Sequence, residues 1–68
     1  MLSARNQFPG VVKSVKLGVV TAEIVITAGG LDVVSSITRE SAERMGLAVG
    51  DKVTALVKAS DVLISNDK

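Results

Sequence analysis

The sequence predicts a small all-β protein, an OB-like barrel of five strands with one short helix. Twelve valines and four isoleucines favour strands, and because Phe8 is the single aromatic residue, the core must be aliphatic. Apolar and polar residues alternate with a period of two over several segments, as in half-buried strands. One stretch alone carries the start and stop signals of a helix, and it precedes the last two predicted strands.

The length of 68 residues predicts a single domain, residues 1–68, near the lower size limit at which one core offsets the conformational entropy of folding. The absence of Cys and His excludes disulfides, thiolate metal sites and the most common metal ligand. We therefore expect oligomerisation to contribute stability. The run Ile24-Val25-Ile26 agrees, since it puts apolar side chains on both faces of one strand. The alternative is that some valines and isoleucines are simply tolerated on the surface.

The first half of the chain predicts a series of strands joined by short turns. A first strand at Ser3–Gln7 is expected to bend or break at Phe8-Pro9-Gly10, where a backbone donor is missing. Alternation then predicts the strands Val11–Leu17, Val19–Thr27 and Leu31–Ile37, with a break at Gly18 and a hairpin turn at Ala28-Gly29-Gly30. One face of the second of these strands carries Val20, Ala22, Ile24 and Ile26.

The second half predicts the helix and the last two strands. Thr38–Leu47 begins with a good N-cap residue, has Glu40 in its first turn and stops at Gly46. A turn at Ala48–Asp51 leads into a strand over Lys52–Lys58. The last strand is expected over Asp61–Ser65, before a polar tail.

Two groups of hydrogen-bond donors near the chain ends predict a binding site for an oxyanion. Ser3, Arg5 and Asn6 offer a hydroxyl, a planar charged guanidinium and an amide. The segment 58–60 adds an ammonium and a second hydroxyl. Because the first and last strands of a small barrel often lie side by side, the two groups can converge. Such donors suit a tetrahedral dianion in a partly dry pocket, whereas Arg5 alone would be a solvated charge.

Two further places are candidates for an anion. The N-terminus of the predicted helix, at Thr38 and Arg39, presents backbone N–H groups, although capping alone would explain Thr38. In Lys16-Leu17-Gly18-Val19, Gly18 exposes backbone N–H groups beside a cation, although a simple hairpin turn would need no ligand.

Several other functions remain as alternatives. An OB-fold module that binds nucleic acid would need aromatic stacking platforms and a basic groove, and this chain has one Phe and a net charge of +1. An enzyme would have to use a Ser–Lys pair, since His and Cys are absent. A structural module would pair Arg5 and Lys58 with carboxylates across an interface. No apolar run approaches the roughly 20 residues that span a bilayer, so we expect a cytoplasmic protein without a membrane partner.

Taken together, several motifs resemble those of the molbindins, whose unit is the Mop or TOBE-type oxyanion-binding domain. The similarity covers about Ser3 to Ile64, nearly the whole chain. Its motifs are Ser3–Gln7, Val15–Gly18, Ile37–Ala42, Gly50–Leu56 and Lys58–Ser60.

The resemblance implies OB-like subunits that exchange a strand and assemble as a hexamer, built as a trimer of dimers. They would bind molybdate or tungstate at subunit boundaries. We expect no catalysis and no residue that directly ligates a metal cation. The main pocket would use Ser3, Arg5, Asn6, Lys58, Ala59 and Ser60, with Thr38 from an adjacent subunit. A second, axial site would lie near Lys16, Gly18, Val19 and Val20. Because no DNA-binding helix pair and no nucleotide loop accompany these motifs, we expect storage or buffering of the anion.

Overall fold

The computed structural model describes residues 5–66, which form a single antiparallel sheet with one short α-helix. The elements are β1 (Asn6–Leu17), β2 (Thr21–Ala28), β3 (Leu31–Thr38), α1 (Arg39–Met45), β4 (Lys52–Val57) and a 3-10 helix (Ala59–Asp61). The order of the strands in the sheet is β3-β2-β1-β4. The predicted all-β class with one short helix is therefore confirmed.

The strand β1 organises the sheet because its two halves pair with different partners. Its first half, Asn6–Val11, pairs with β4, and its second half, Val11–Leu17, pairs with β2. The strand runs through Pro9 without a break, and a proline is tolerated there because the pairing with β2 begins only at Val11. At Gly10 a Cβ atom would collide with the carbonyl oxygen of Thr27, so the close approach of β2 requires glycine.

A β-bulge in β1 changes the face that its side chains present. Val12 pairs with Ile26 and Ser14 pairs with Val25, which leaves Lys13 as an extra residue. In a regular strand, strict alternation would place Val12 and Val15 on opposite sides. The extra residue brings both valines to the core, where Val12 is 1% exposed and Val15 packs against the buried cluster.

The core consists of small aliphatic side chains, and β2 contributes more of them than any other element. The buried residues are Val12, Ala22, Ile24, Ile26, Ala28, Ala42 and Ala55. The predicted apolar face of β2 is thus confirmed at Ala22, Ile24 and Ile26. Val20 does not belong to it, because it lies in the turn before β2 and is 70% exposed.

The helix α1 follows β3 directly and has the predicted ends. The N-cap residue Thr38 accepts a hydrogen bond from the Ser41 N–H at 3.1 Å, and its hydroxyl donates to Ser41 Oγ at 2.8 Å. Gly46 ends the helix with φ of 63°, a left-handed conformation that glycine adopts at low cost. Among residues 5–66, no helix has the length and hydropathy that crossing a bilayer requires.

Two features of the predicted barrel are wrong for the residues that the structure describes. The sheet is open, because β3 and β4 are edge strands that do not pair with each other. The expected last strand, Asp61–Ser65, is absent: Asp61 ends the 3-10 helix, and residues 62–66 have no regular structure. A strand needs the backbone of a neighbour, and no strand among residues 5–66 forms a ladder with Leu63 or Ile64, which are 92% exposed.

The core assignment predicts unequal effects for two identical substitutions. Val12→Ala should lower the free energy of unfolding by about 2 kcal/mol, because it removes buried methyl groups and leaves a cavity. The matched variant Val49→Ala changes a side chain that is 67% exposed in a turn, and its effect should stay within about 0.5 kcal/mol. Urea unfolding followed by circular dichroism at one protein concentration measures both. Equal losses would contradict the core described above.

Candidate oxyanion site

The start of β1 and the end of β4 bring the two predicted donor groups to one end of the sheet. Asn6 pairs with Val57, so Arg5 and Lys58 each lie one residue beyond the last pair of this ladder. After Lys58 the chain turns into the 3-10 helix that contains Ala59 and Ser60. The convergence of these groups therefore follows from the register of β1 and β4. The predicted site residue Ser3 lies outside the described residues.

Among residues 5–66, the cations of the predicted main pocket and axial site lack a carboxylate partner, as does Lys52 at the start of β4. The ion pairs within residues 5–66 are Lys13–Asp32 at 2.8 Å, Arg39–Glu43 at 3.3 Å and Arg44–Glu40 at 3.5 Å. The hydrogen bond from the Lys13 ammonium lowers the pKa of Asp32. By contrast, Arg5, Lys16 and Lys58 form no ion pair in the described part of the chain. Their charges remain available for an anion.

Backbone N–H groups add neutral donors beside Lys58. Within the 3-10 helix, the Asp61 N–H donates to the Lys58 carbonyl at 2.9 Å and the Val62 N–H to the Ala59 carbonyl at 3.3 Å. The N–H groups of Ala59 and Ser60 donate to no group among residues 5–66. Because alanine has no polar side-chain atom, its N–H is the means by which Ala59 can hold an anion. The same described residues contain no group of three acidic side chains that could hold a metal cation.

Thr38 lies at the opposite end of the sheet from Arg5 and Lys58. It ends β3 and pairs with Thr21, at the end that β1 reaches at Leu17. Since β1 is 12 residues long, its two ends are roughly 35 Å apart along the strand. A single chain therefore does not bring Thr38 to the other residues of the predicted main pocket.

Three of the predicted axial residues, Gly18, Val19 and Val20, form the tight turn between β1 and β2, and Lys16 lies in β1 shortly before it. The N–H of Gly18 donates to the Thr21 carbonyl at 2.7 Å, so this N–H is used inside the turn. The N–H groups of Val19 and Val20 donate to nothing in the part of the chain that the structure describes, and the Val19 side chain is 93% exposed. The available backbone donors are therefore those of the two valines, close in sequence to Lys16, which forms no ion pair within residues 5–66.

Arg39 has a position that the sequence analysis did not find. Its backbone N–H donates to the Val20 carbonyl at 2.8 Å, and its Nη1 donates to the Gly18 carbonyl at 3.2 Å. Its Nε also donates to Glu43 at 3.3 Å. Through its contacts with Gly18 and Val20, Arg39 links the turn between β1 and β2 to the start of α1. The contact with Gly18 joins residues 21 positions apart, and no local sequence pattern reports such a contact.

Comparison with known proteins places this architecture in a family. The family model described as TOBE domain matches residues 2–64. The chain is 48% identical over 64 residues to molybdenum-pterin-binding protein 2 of Clostridium pasteurianum, which covers 93% of this chain and 94% of that protein.

Two solved structures have nearly the same backbone. MopII from C. pasteurianum superposes with a TM-score of 0.90 at 45% identity, over 97% of this chain and 100% of that one. A molybdate-binding protein from Sporomusa ovata gives a TM-score of 0.91 at 39% identity, over 97% and 98% of the two chains. These matches, which extend over almost the whole sequence and the whole fold, show that the chain belongs to the TOBE domain family, in the group of the molybdenum-pterin-binding proteins.

Proposed function

We propose that this protein binds molybdate or tungstate between the subunits of a homo-oligomer, and that it stores or buffers the anion in the cytoplasm. The observation that carries the proposal is that Arg5 and Lys58 lie at the same end of the sheet as the N–H groups of Ala59 and Ser60. Within residues 5–66 these two cations form no ion pair and these two N–H groups have no acceptor. Relatives with the same fold are named for molybdate or for molybdenum. Residues 1–68 would then act as one oxyanion-binding domain.

The donors of this site suit reversible binding of a dianion without catalysis. A guanidinium and an ammonium supply charge-assisted hydrogen bonds, and the amide of Asn6, the hydroxyl of Ser60 and the backbone N–H groups supply neutral ones. Ser3 would add a second hydroxyl. None of these interactions forms or breaks a covalent bond, so the anion would leave when its free concentration falls. Selectivity against sulfate would depend on the spacing of the donors, because the two anions share charge and shape.

The position of Thr38 supports a site shared between subunits. Within one chain it is at the far end of β1 from Lys58, so a pocket that contains both residues needs a second copy. We propose that Thr38 comes from a neighbouring subunit. In that arrangement the Thr38 hydroxyl would turn its proton from Ser41 Oγ to the anion while it still accepts from the Ser41 N–H.

The open side of the sheet supports strand exchange. The inner sides of β3 and β4 line an apolar cleft of about 570 Å³, which includes Val33, Ile37 and Val53. The segment after the 3-10 helix carries Leu63 and Ile64, each 92% exposed. A copy of this segment from another subunit would supply backbone to an unpaired strand edge and bury its own apolar side chains. We propose that residues 61–65 are the exchanged strand of a hexamer built as a trimer of dimers.

The first prediction from this proposal compares Lys58, directly after the end of β4, with Lys52 at the start of β4. Lys58→Ala should weaken molybdate binding by about 10-fold or more, since a charge-assisted hydrogen bond contributes roughly 1.5–3 kcal/mol. Lys52→Ala is the matched control, because Lys52 begins β4 and also forms no ion pair within residues 5–66. Isothermal titration calorimetry with molybdate measures both. Equal weakening in the two variants would show a loss of general charge and would contradict the site.

The second prediction concerns the exchanged strand. Leu63→Glu should shift the protein from the oligomer towards smaller species, because a charge would be buried in the apolar cleft. Val49→Glu places the same charge at another exposed apolar position, in a turn, and should leave the mass unchanged. Native mass spectrometry at several protein concentrations gives the subunit number. An oligomer that survives Leu63→Glu unchanged would contradict the exchange of this strand.

The third prediction tests whether one pocket draws on two chains. Thr38→Val and Lys58→Ala subunits, each defective alone, are unfolded together in equal amounts and refolded as mixed oligomers. If the two residues of a pocket come from different chains, about a quarter of the pockets should regain both side chains. Calorimetry would then detect a fraction of high-affinity sites that is absent from either parent. Failure to regain any such sites would place Thr38 and Lys58 of a pocket in the same chain, and a Thr38→Val parent with wild-type affinity would place Thr38 outside the pocket.

A further inference from the structure

We propose that Arg39 is a positioning residue for the axial anion site, because its guanidinium holds the Gly18–Val19 peptide with the Val19 N–H directed outwards. This inference rests on the proposed function and adds a residue to the second class of site. It is carried by one contact, the hydrogen bond from Arg39 Nη1 to the Gly18 carbonyl at 3.2 Å.

Because a peptide unit is planar, the contact with the Gly18 carbonyl also fixes the direction of the Val19 N–H. No peptide bond among the described residues is cis, and in a trans peptide the C=O and the following N–H point in opposite directions. When the Gly18 carbonyl points towards Arg39, the Val19 N–H must point away from it. This N–H has no acceptor among residues 5–66, and the Val19 side chain lies almost fully in solvent. The turn therefore presents a donor on its outer side.

The same contact removes an unfavourable group from that side. A turn of this length could expose the Gly18 carbonyl instead, and a carbonyl oxygen facing an anion would repel it. The Arg39 backbone N–H binds a second carbonyl of the turn, that of Val20, at 2.8 Å. Both carbonyls are thus drawn towards the start of α1, while Lys16, which has no ion pair in the described part of the chain, supplies the positive charge.

The charge of Arg39 itself is a less direct contribution. Its Nε lies 3.3 Å from Glu43, so much of its charge is balanced by a neighbouring carboxylate. Arg44 offers a matched comparison, because it lies on the same helix and pairs with Glu40 in the same i,i+4 arrangement at 3.5 Å. Replacing either arginine by glutamine removes one positive charge and one surface ion pair. Only the replacement of Arg39 releases the turn.

The experiment follows individual amides of the ¹⁵N-labelled oligomer during titration with molybdate. The Val19 amide reports the axial site and the Ala59 amide reports the main pocket. Arg39→Gln should weaken binding at Val19 by about tenfold, the effect of one lost hydrogen bond to the orienting group. The affinity at Ala59 should change by less than about twofold, and Arg44→Gln should leave both affinities unchanged.

Each other outcome has a distinct meaning. If Val19 titrates in Arg39→Gln as in the wild type, or if Ala59 weakens equally, the positioning role is overturned. The role is also overturned if the wild type shows a molybdate-dependent shift at Ala59 but none at Val19. If neither amide of the wild type responds, the proposed function fails instead. Should Arg39→Gln not fold, Arg39→Met decides the question, because methionine keeps a long side chain but has no N–H donor for the Gly18 carbonyl; an unchanged Val19 affinity would then overturn the role.

Discussion

The pairing of β1 with β4 over one half and with β2 over the other is the constraint on which the rest of the structure depends. It fixes Asn6 opposite Val57 and thereby brings Arg5 beside Lys58. It also fixes Leu17 opposite Ala22, which places the following turn next to the start of α1. Two features allow β1 to pair with both β4 and β2. Gly10 permits the close approach of β2, and the extra residue Lys13 returns Val15 to the core.

Arg5 and Lys58, the donors of the proposed main pocket, lie at the opposite end of this strand from the turn of the proposed axial site, and each end lacks a different part of a binding site. At the Arg5 end, cations and N–H groups have no partner within residues 5–66. At the other end, Arg39, which follows Thr38 in the chain, donates a hydrogen bond to the Gly18 carbonyl of the turn. In the assembly that we propose, the far end of one subunit would complete the near end of another. Such a site would form only in the oligomer, so subunit contacts would decide whether the anion binds at all and not only how tightly it binds.

The sequence predicts the local structure of this protein well and its long-range contacts poorly. Alternation identified β2 and its buried face, and Thr38 and Gly46 identified the ends of α1, because these signals lie within a few residues of each other. The bulge at Lys13, the contacts of Arg39 and the lack of regular structure over residues 62–66 depend on residues distant in the chain. The segment 61–65 has the composition of a strand, but whether it forms one depends on a backbone that the sequence of a single chain does not place beside it.

Assembly of the proposed oligomer would both fill the open cleft and enclose Arg5 and Lys58. In the proposed oligomer, an incoming strand would cover the apolar side chains of β3 and β4, and the neighbouring subunit would exclude water from Arg5 and Lys58. Two cations brought together without an anion would repel each other at such an interface, whereas a bound dianion would neutralise both, and charge-assisted hydrogen bonds are stronger in a drier site. Because a ligand that binds only the assembled state stabilises that state by mass action, the anion and the oligomer should stabilise each other. Such linkage would couple release of the anion to loosening of the interface, which is a suitable property for a protein that buffers its ligand.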